Sequence, residues 1–91
     1  MLAPEQSRAA RGWLEWSQED LATRAGVALS TVRDFEKGRR KPIANNLQAL
    51  RRSIEDAGLL AIFSDEGKPL GVAIAQRPVV TTGQTEEQDR R

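Results

Sequence analysis

The chain has 91 residues, with 14 Lys and Arg against 13 Asp and Glu, a net charge of +1, which bounds it to one small domain with a limited core. It has no Cys and no His, so a disulfide framework and cysteine-ligated zinc are excluded, the commonest catalytic base and metal ligand is missing, and a reducing cytoplasm suits it. The longest apolar run, Gly58 to Phe63, is too short to cross a bilayer, and the N-terminus lacks the basic segment and apolar core of a signal peptide.

Pro4 suits the first turn of a helix, and Glu5 to Glu15 reads as helix one. Ala9, Gly12, Leu14 and Trp16 are available to line its inner side and the corner into helix two, while Arg8 and Arg11 share a face at i, i+3. Ser17 is an N-cap for helix two, and Asp20 three positions on can close a capping box. Leu21, Ala22 and Ala25 form the buried stripe of that helix, and Gly26 follows where a departing chain needs positive φ. Val27 plugs the corner. A third helix then buries Val32 and Phe35, leaves Ser30, Arg33, Asp34 and Lys37 outside, and ends at Gly38. Small residues at Ala22 and Ala25 let the two helices approach closely at a steep crossing. The spacing predicts two short helices joined by a tight turn, an arrangement that holds its second helix out for a DNA groove. Trp13 and Trp16 are expected to pack rather than to stack on single-stranded bases.

Arg39, Arg40, Lys41 and Pro42 form a loop, because proline disfavours helix in the residue before it. From Arg33 to Arg52 there are seven cations and two acids, a local charge of +5 in a chain that is nearly neutral overall. Such a patch is the footprint of phosphate contact when it adjoins a DNA-reading element, and a solvated surface otherwise. Asn45 or Asn46 is expected to cap helix four, with Leu47, Leu50 and Ile54 on its inner face and Gly58 closing it. Two β-prone runs, Leu59 to Phe63 and Leu70 to Ala75, flank a turn rich in Asp, Gly and Pro and read as a hairpin.

An isolated two-stranded hairpin is marginal in water, so this one caps the core of its own chain or pairs with a second copy. The pairing reading is taken forward, with Leu60, Ile62, Val72 and Ile74 as the expected interface. The chain thus divides into a helical domain over 1–58, a hairpin over 59–76 and a polar, flexible tail over 77–91, with Val79 to Thr82 as an optional strand.

The run from Ser17 to Gly38 resembles the helix-turn-helix of the Xre/Cro/cI family of bacterial and phage regulators. Gln18, Leu21, Ala22, Ala25, Gly26, Val27, Ser30, Thr31, Val32, Glu36 and Gly38 fall in its register, and the similarity extends from about Pro4 to Ile54. The resemblance implies a mainly α, lambda-repressor-like domain of four helices, here followed by a short β-hairpin where the family usually adds a fifth helix. It implies base contacts from Ser30, Arg33 and Asp34 with Leu29 beside them, and phosphate contacts from Gln18 and Thr31. Lys37, Arg39, Arg40 and Lys41 are expected along the phosphate backbone. The family's arginine–glutamate pair maps onto Arg11 and Glu36. One position departs from the pattern: a capping serine is usual before the recognition helix, and Ala28 stands there, so the helix start is open to a shift onto Ser30.

The function implied is a sequence-specific regulator of transcription that binds double-stranded DNA at a palindromic operator as a homodimer. An antitoxin that represses its own operon is the alternative. A toxin or RNA polymerase is a further candidate partner, and no cofactor, metal or membrane is expected. Without a nucleophile–base pair or phosphate loop, no enzymatic site can be assembled from these residues.

Overall fold

The computed structural model describes residues 1–75; the expected tail and the optional strand at Val79 to Thr82 lie outside them. Four helices are followed by an antiparallel hairpin: α1 (Pro4–Leu14), α2 (Gln18–Ala25), α3 (Leu29–Glu36), α4 (Ala44–Asp56), β1 (Leu59–Phe63) and β2 (Pro69–Ile74). Leu21, Ala22, Val32, Phe35, Leu47, Leu50 and Ile54 meet in one core, which Ala10, Leu2 and Leu59 close from α1, the N-terminal segment and β1. Among the described residues no helix is long and apolar enough to span a membrane.

The helix ends are set locally. Ser17 Oγ accepts the Asp20 amide at 2.9 Å and Asp20 Oδ2 accepts the Ser17 amide at 2.9 Å, so the box satisfies two amides reciprocally. At the other end of α2, Gly26 takes φ of 70°, and Val27 N–H reaches back to Ala22 C=O at 3.0 Å. α3 ends the same way: Gly38 at φ 74° lets the Arg39 amide bond Asp34 C=O at 2.8 Å. Both are six-to-one closures in which glycine occupies the left-handed position. α1 makes that closure through Glu15 at φ 58° instead, with Trp16 N–H on Arg11 C=O at 2.9 Å. A side chain in this region is strained, which makes Glu15 the one non-glycine of positive φ among the described residues.

Several expectations are corrected. The inner face of α1 is Gln6, Ser7 and Ala10, whereas Ala9 and Gly12 point to solvent and Leu14 and Trp16 are only half-buried. Polarity misled there, because Gln6 and Ser7 are buried against hydrogen-bonding partners from distant parts of the chain. α4 begins at Ala44 with Ile43 in the capping position and no side-chain cap, so neither Asn45 nor Asn46 caps it. α3 begins at Leu29 directly after Ala28, also without a side-chain cap; the start has not moved onto Ser30. Trp16 leans on the core beneath the Arg24 guanidinium, 4.4 Å above its ring, but Trp13 is 62% exposed and does not pack.

The hairpin sits on the helices of its own chain. β1 pairs with β2 as Leu59 with Ile74, Leu60 with Ala73, Ala61 with Val72 and Ile62 with Gly71, and an irregularity follows between Ile62 and Phe63. Side chains alternate across a pleated pair. Leu59, Ala61 and Val72 accordingly pack toward the core, while Leu60 and Ile62 face away at 47% and 39% exposure. Val72 is therefore spent on the chain's own core, and the four residues expected at a pairing interface do not share one face. Gln6 fastens the sheet: its Nε2 donates to Ile62 C=O at 2.9 Å and to Gly71 C=O at 3.0 Å. Its Oε1 meanwhile accepts the Ala3 amide at 2.9 Å, so one buried side chain closes the start of α1 and holds both strands.

Candidate nucleic-acid interface

α3 is short, and its two sides differ sharply. Val32, Phe35 and Glu36 are buried, while Ser30 and Arg33 are exposed and Asp34 and Thr31 half-buried on the outer side. Leu29 is half-buried and packs against the core, so it stands apart from Ser30, Arg33 and Asp34. The outer side presents a hydroxyl, a guanidinium and a carboxylate within five positions, the groups that can donate to or accept from base edges.

What fixes this helix is a buried carboxylate. Glu36 is 2% exposed, yet every direction around its oxygens carries a donor. Arg11 Nη2 meets Oε1 at 2.8 Å and Arg11 Nε meets Oε2 at 2.9 Å, a two-pronged pair. Ser7 Oγ donates to Oε2 at 2.5 Å and Gln18 Nε2 to Oε1 at 3.2 Å. Burial by itself would push the Glu36 carboxyl up; the hydrogen bonds from Arg11, Ser7 and Gln18, with the charge of Arg11, outweigh it and hold the group below its ordinary range. The bond to Glu36 raises the Arg11 guanidinium in turn, against the opposing effect of its own burial. Arg8 Nη1 donates to the backbone carbonyl of Glu36, which lies in the last turn of α3 and has no intrahelical partner. Arg11 Nη1 binds Trp16 C=O at 3.0 Å. α1 and α2 therefore converge on one ionised group at the end of α3, and Arg11 ties the corner before α2 to the same pair.

Gln18 is thereby turned inward. Its side-chain amide serves Glu36, and what it leaves for a phosphate is its own backbone N–H in the first turn of α2, where helix amides lack intrahelical acceptors. Lys37, Arg39, Arg40 and Lys41 are all exposed and follow α3 directly. Arg40 and Lys41 border a cleft between α3 and the start of α4, which Ser30, Thr31, Asp34 and Asn46 also line. The outer side of α3 and the basic loop thus share one surface, as a helix in a groove with flanking phosphate contacts requires. The residues expected at the pairing interface, Leu60, Ile62, Val72 and Ile74, lie in the hairpin and outside this surface.

Ser7, Arg8 and Gln6 were not anticipated as parts of the site or its support. A signal for Ser7 existed, since it lies one turn before Arg11 on the same face of α1. For Gln6 there was none, because its partners are 56 and 65 positions away in sequence. Among the described residues there is no cluster of side chains that could hold a metal ion.

Compared with known families, residues 8–54 match the helix-turn-helix family HTH_3. Among solved structures the chain is similar to the DNA-binding domain of the P22 C2 repressor, residues 1–76, determined by nuclear magnetic resonance in solution. The two are 29% identical with a TM-score of 0.54, over 60% of this chain and 72% of that one. No curated protein matches the chain at a significant level.

Proposed function

Because the chain belongs to the helix-turn-helix family, we propose that it is a sequence-specific regulator of transcription that reads double-stranded DNA in the cytoplasm with the outer side of α3. The observation that carries this reading is the union of an exposed Ser30, Arg33 and Asp34 with a buried, fully ligated Glu36 on the opposite side of the same helix. The carboxylate network fixes the orientation of the helix, and the outer residues are left free to meet bases. Likeness to the P22 C2 repressor domain supports the same reading.

In this mechanism Arg33 binds guanine O6 and N7 with two N–H groups, and Asp34 accepts from cytosine N4 or orients Arg33. Ser30 is the third base-facing group. Thr31, the backbone N–H of Gln18, Lys37, Arg39, Arg40 and Lys41 contact phosphates, which supply affinity and salt dependence. The protein acts as a homodimer through the outward face of the hairpin, where Leu60 and Ile62 are exposed; Ile74, opposite Leu59, is exposed on the other face at the open end of the hairpin. That face would serve a toxin equally, and co-purification of a second protein in place of self-association would favour the antitoxin reading.

Selection of binding sites from random duplexes by the purified chain tests the proposal. Enrichment of a two-fold repeat, with half-sites centred about one helical turn apart, is expected. Arg33→Ala should relax the preference at one base pair at a cost of about 1–3 kcal/mol, whereas Arg40→Ala should weaken all sequences alike and lower the salt slope by about one unit. No enrichment, or the same selected site from both variants, would overturn the assignment.

A further inference from the structure

A second cleft lies behind the basic loop, on the side away from the outer face of α3. Leu2, Phe35 and Leu47, all buried, form its floor, and Pro69 and Gly67 of the hairpin border it. Its rim carries Arg40 and Lys41, and among the described residues no acidic side chain lines it. The cavity volume is about 360 Å³, within the range of about 300–1,000 Å³ typical of small-molecule sites. An apolar floor beneath two cations is complementary to one chemistry, a short hydrocarbon body with a single anionic head.

Arg40 and Lys41 also line the cleft between α3 and α4, beside Ser30, Thr31 and Asp34. The same two cations are therefore shared by the proposed phosphate surface and the apolar cleft, and neither has an acidic partner among the described residues. We propose that this cleft is an effector site for a small amphipathic carboxylate, whose head group engages Arg40 and Lys41 and withdraws them from the DNA phosphates. The ligand's chain rests on Phe35, three positions before Gly38, so occupancy also touches the end of α3. The regulatory consequence rests on the DNA-binding function proposed above; binding in the cleft does not.

Octanoate is the probe, titrated into the full chain and followed by amide and methyl shifts in nuclear magnetic resonance. Saturable shifts at Leu2, Phe35 and Leu47 are expected. Octanol, which has the same chain and no charge, should bind about tenfold more weakly, as should octanoate to an Arg40→Gln, Lys41→Gln variant, because two exposed ion pairs together amount to about that factor. Equal binding of octanol and octanoate, shifts confined to Leu60 and Ile62, or no saturation would overturn the site. So would contacts in the free protein that already fill the cleft, whether from residues 76–91 or from a second copy.

A second arm measures affinity for duplex DNA at fixed salt with and without saturating octanoate. A fall in affinity of about tenfold, with a salt slope lower by about two units, is expected for the loss of two phosphate contacts. Unchanged DNA affinity with the cleft occupied would overturn the effector role. A chain that binds no duplex DNA even without octanoate would instead remove the function on which that role depends, and the shift titration would still decide the site.

Discussion

α1 holds its two neighbours by different chemistry. It grips α3 through a largely buried ion pair, Arg11 with Glu36, supported by Ser7. Its N-terminal half grips the hairpin through one neutral amide, Gln6, bonded to a carbonyl on each strand. Neither attachment is apolar, and both place polar groups where water is excluded, so each stabilises only while its partners are complete. They differ in what breaks them. The charged grip depends on ionisation and fixes the orientation of α3, and the neutral grip does neither.

The largest effect is expected from removing the cation. Arg11→Ala leaves Glu36 buried and unpaired at a cost of about 3 kcal/mol, the lower end of the range of about 3–5 kcal/mol for buried pairs, because the Arg11 side chain keeps 19% exposure. Urea denaturation measures it, and a midpoint equal to that of the unaltered chain would show that the pair is not what secures α3. Gln6→Ala should follow at about 2 kcal/mol, since a carbonyl on each strand loses its buried donor. Here the loss should be independent of pH, and amide exchange should report it first in β1 and β2 rather than in α3.

Acid sharpens the contrast. The Glu36 carboxyl is held below its ordinary range in the folded chain, so its stabilising contribution is fully present above the unfolded value of about 4.3. That contribution is lost as pH falls through the lowered folded value. Denaturation midpoints measured from pH 7 to pH 3 should therefore fall more steeply for the unaltered chain than for Glu36→Gln; parallel profiles would mean that the charge of Glu36 carries no such linkage. The smallest effect is expected where α1 gives way to α2. Glu15→Gly relieves a left-handed backbone at φ 58° and should raise stability by about 1 kcal/mol, leaving both grips untouched. A lower melting temperature would show that the Glu15 side chain contributes more than its backbone costs.

The parts of the fold that could be read directly are those whose partners lie within one turn. Ser17 and Asp20 close their box across three residues, and Gly26 and Gly38 end their helices by bonds to the preceding turn. The stripes Leu21–Ala22, Val32–Phe35 and Leu47–Leu50–Ile54 followed from helical period alone. α1 resisted the same reading. Apolar period favoured Ala9 and Gly12, whereas the structure buries Gln6 and Ser7, whose acceptors belong to β1, β2 and α3. The hairpin was legible as a hairpin but not by face. An alternating pair offers two sides of similar hydrophobicity, and contact with the helices chose the side carrying Val72.

The sequence by itself therefore determined the helical elements, their turns, the short helix that carries Ser30, Arg33 and Asp34, and the basic loop behind it. Each of these depends on hydrogen bonds or periodicities a few residues long. The tertiary structure decided how that helix is held and what lies behind its loop. A buried carboxylate can persist only where donors such as those of Ser7 and Arg11 on α1 and Gln18 on α2 converge on it. A cleft exists only where the N-terminal segment, the end of α3 and the hairpin meet. Both depend on contacts between residues far apart in sequence.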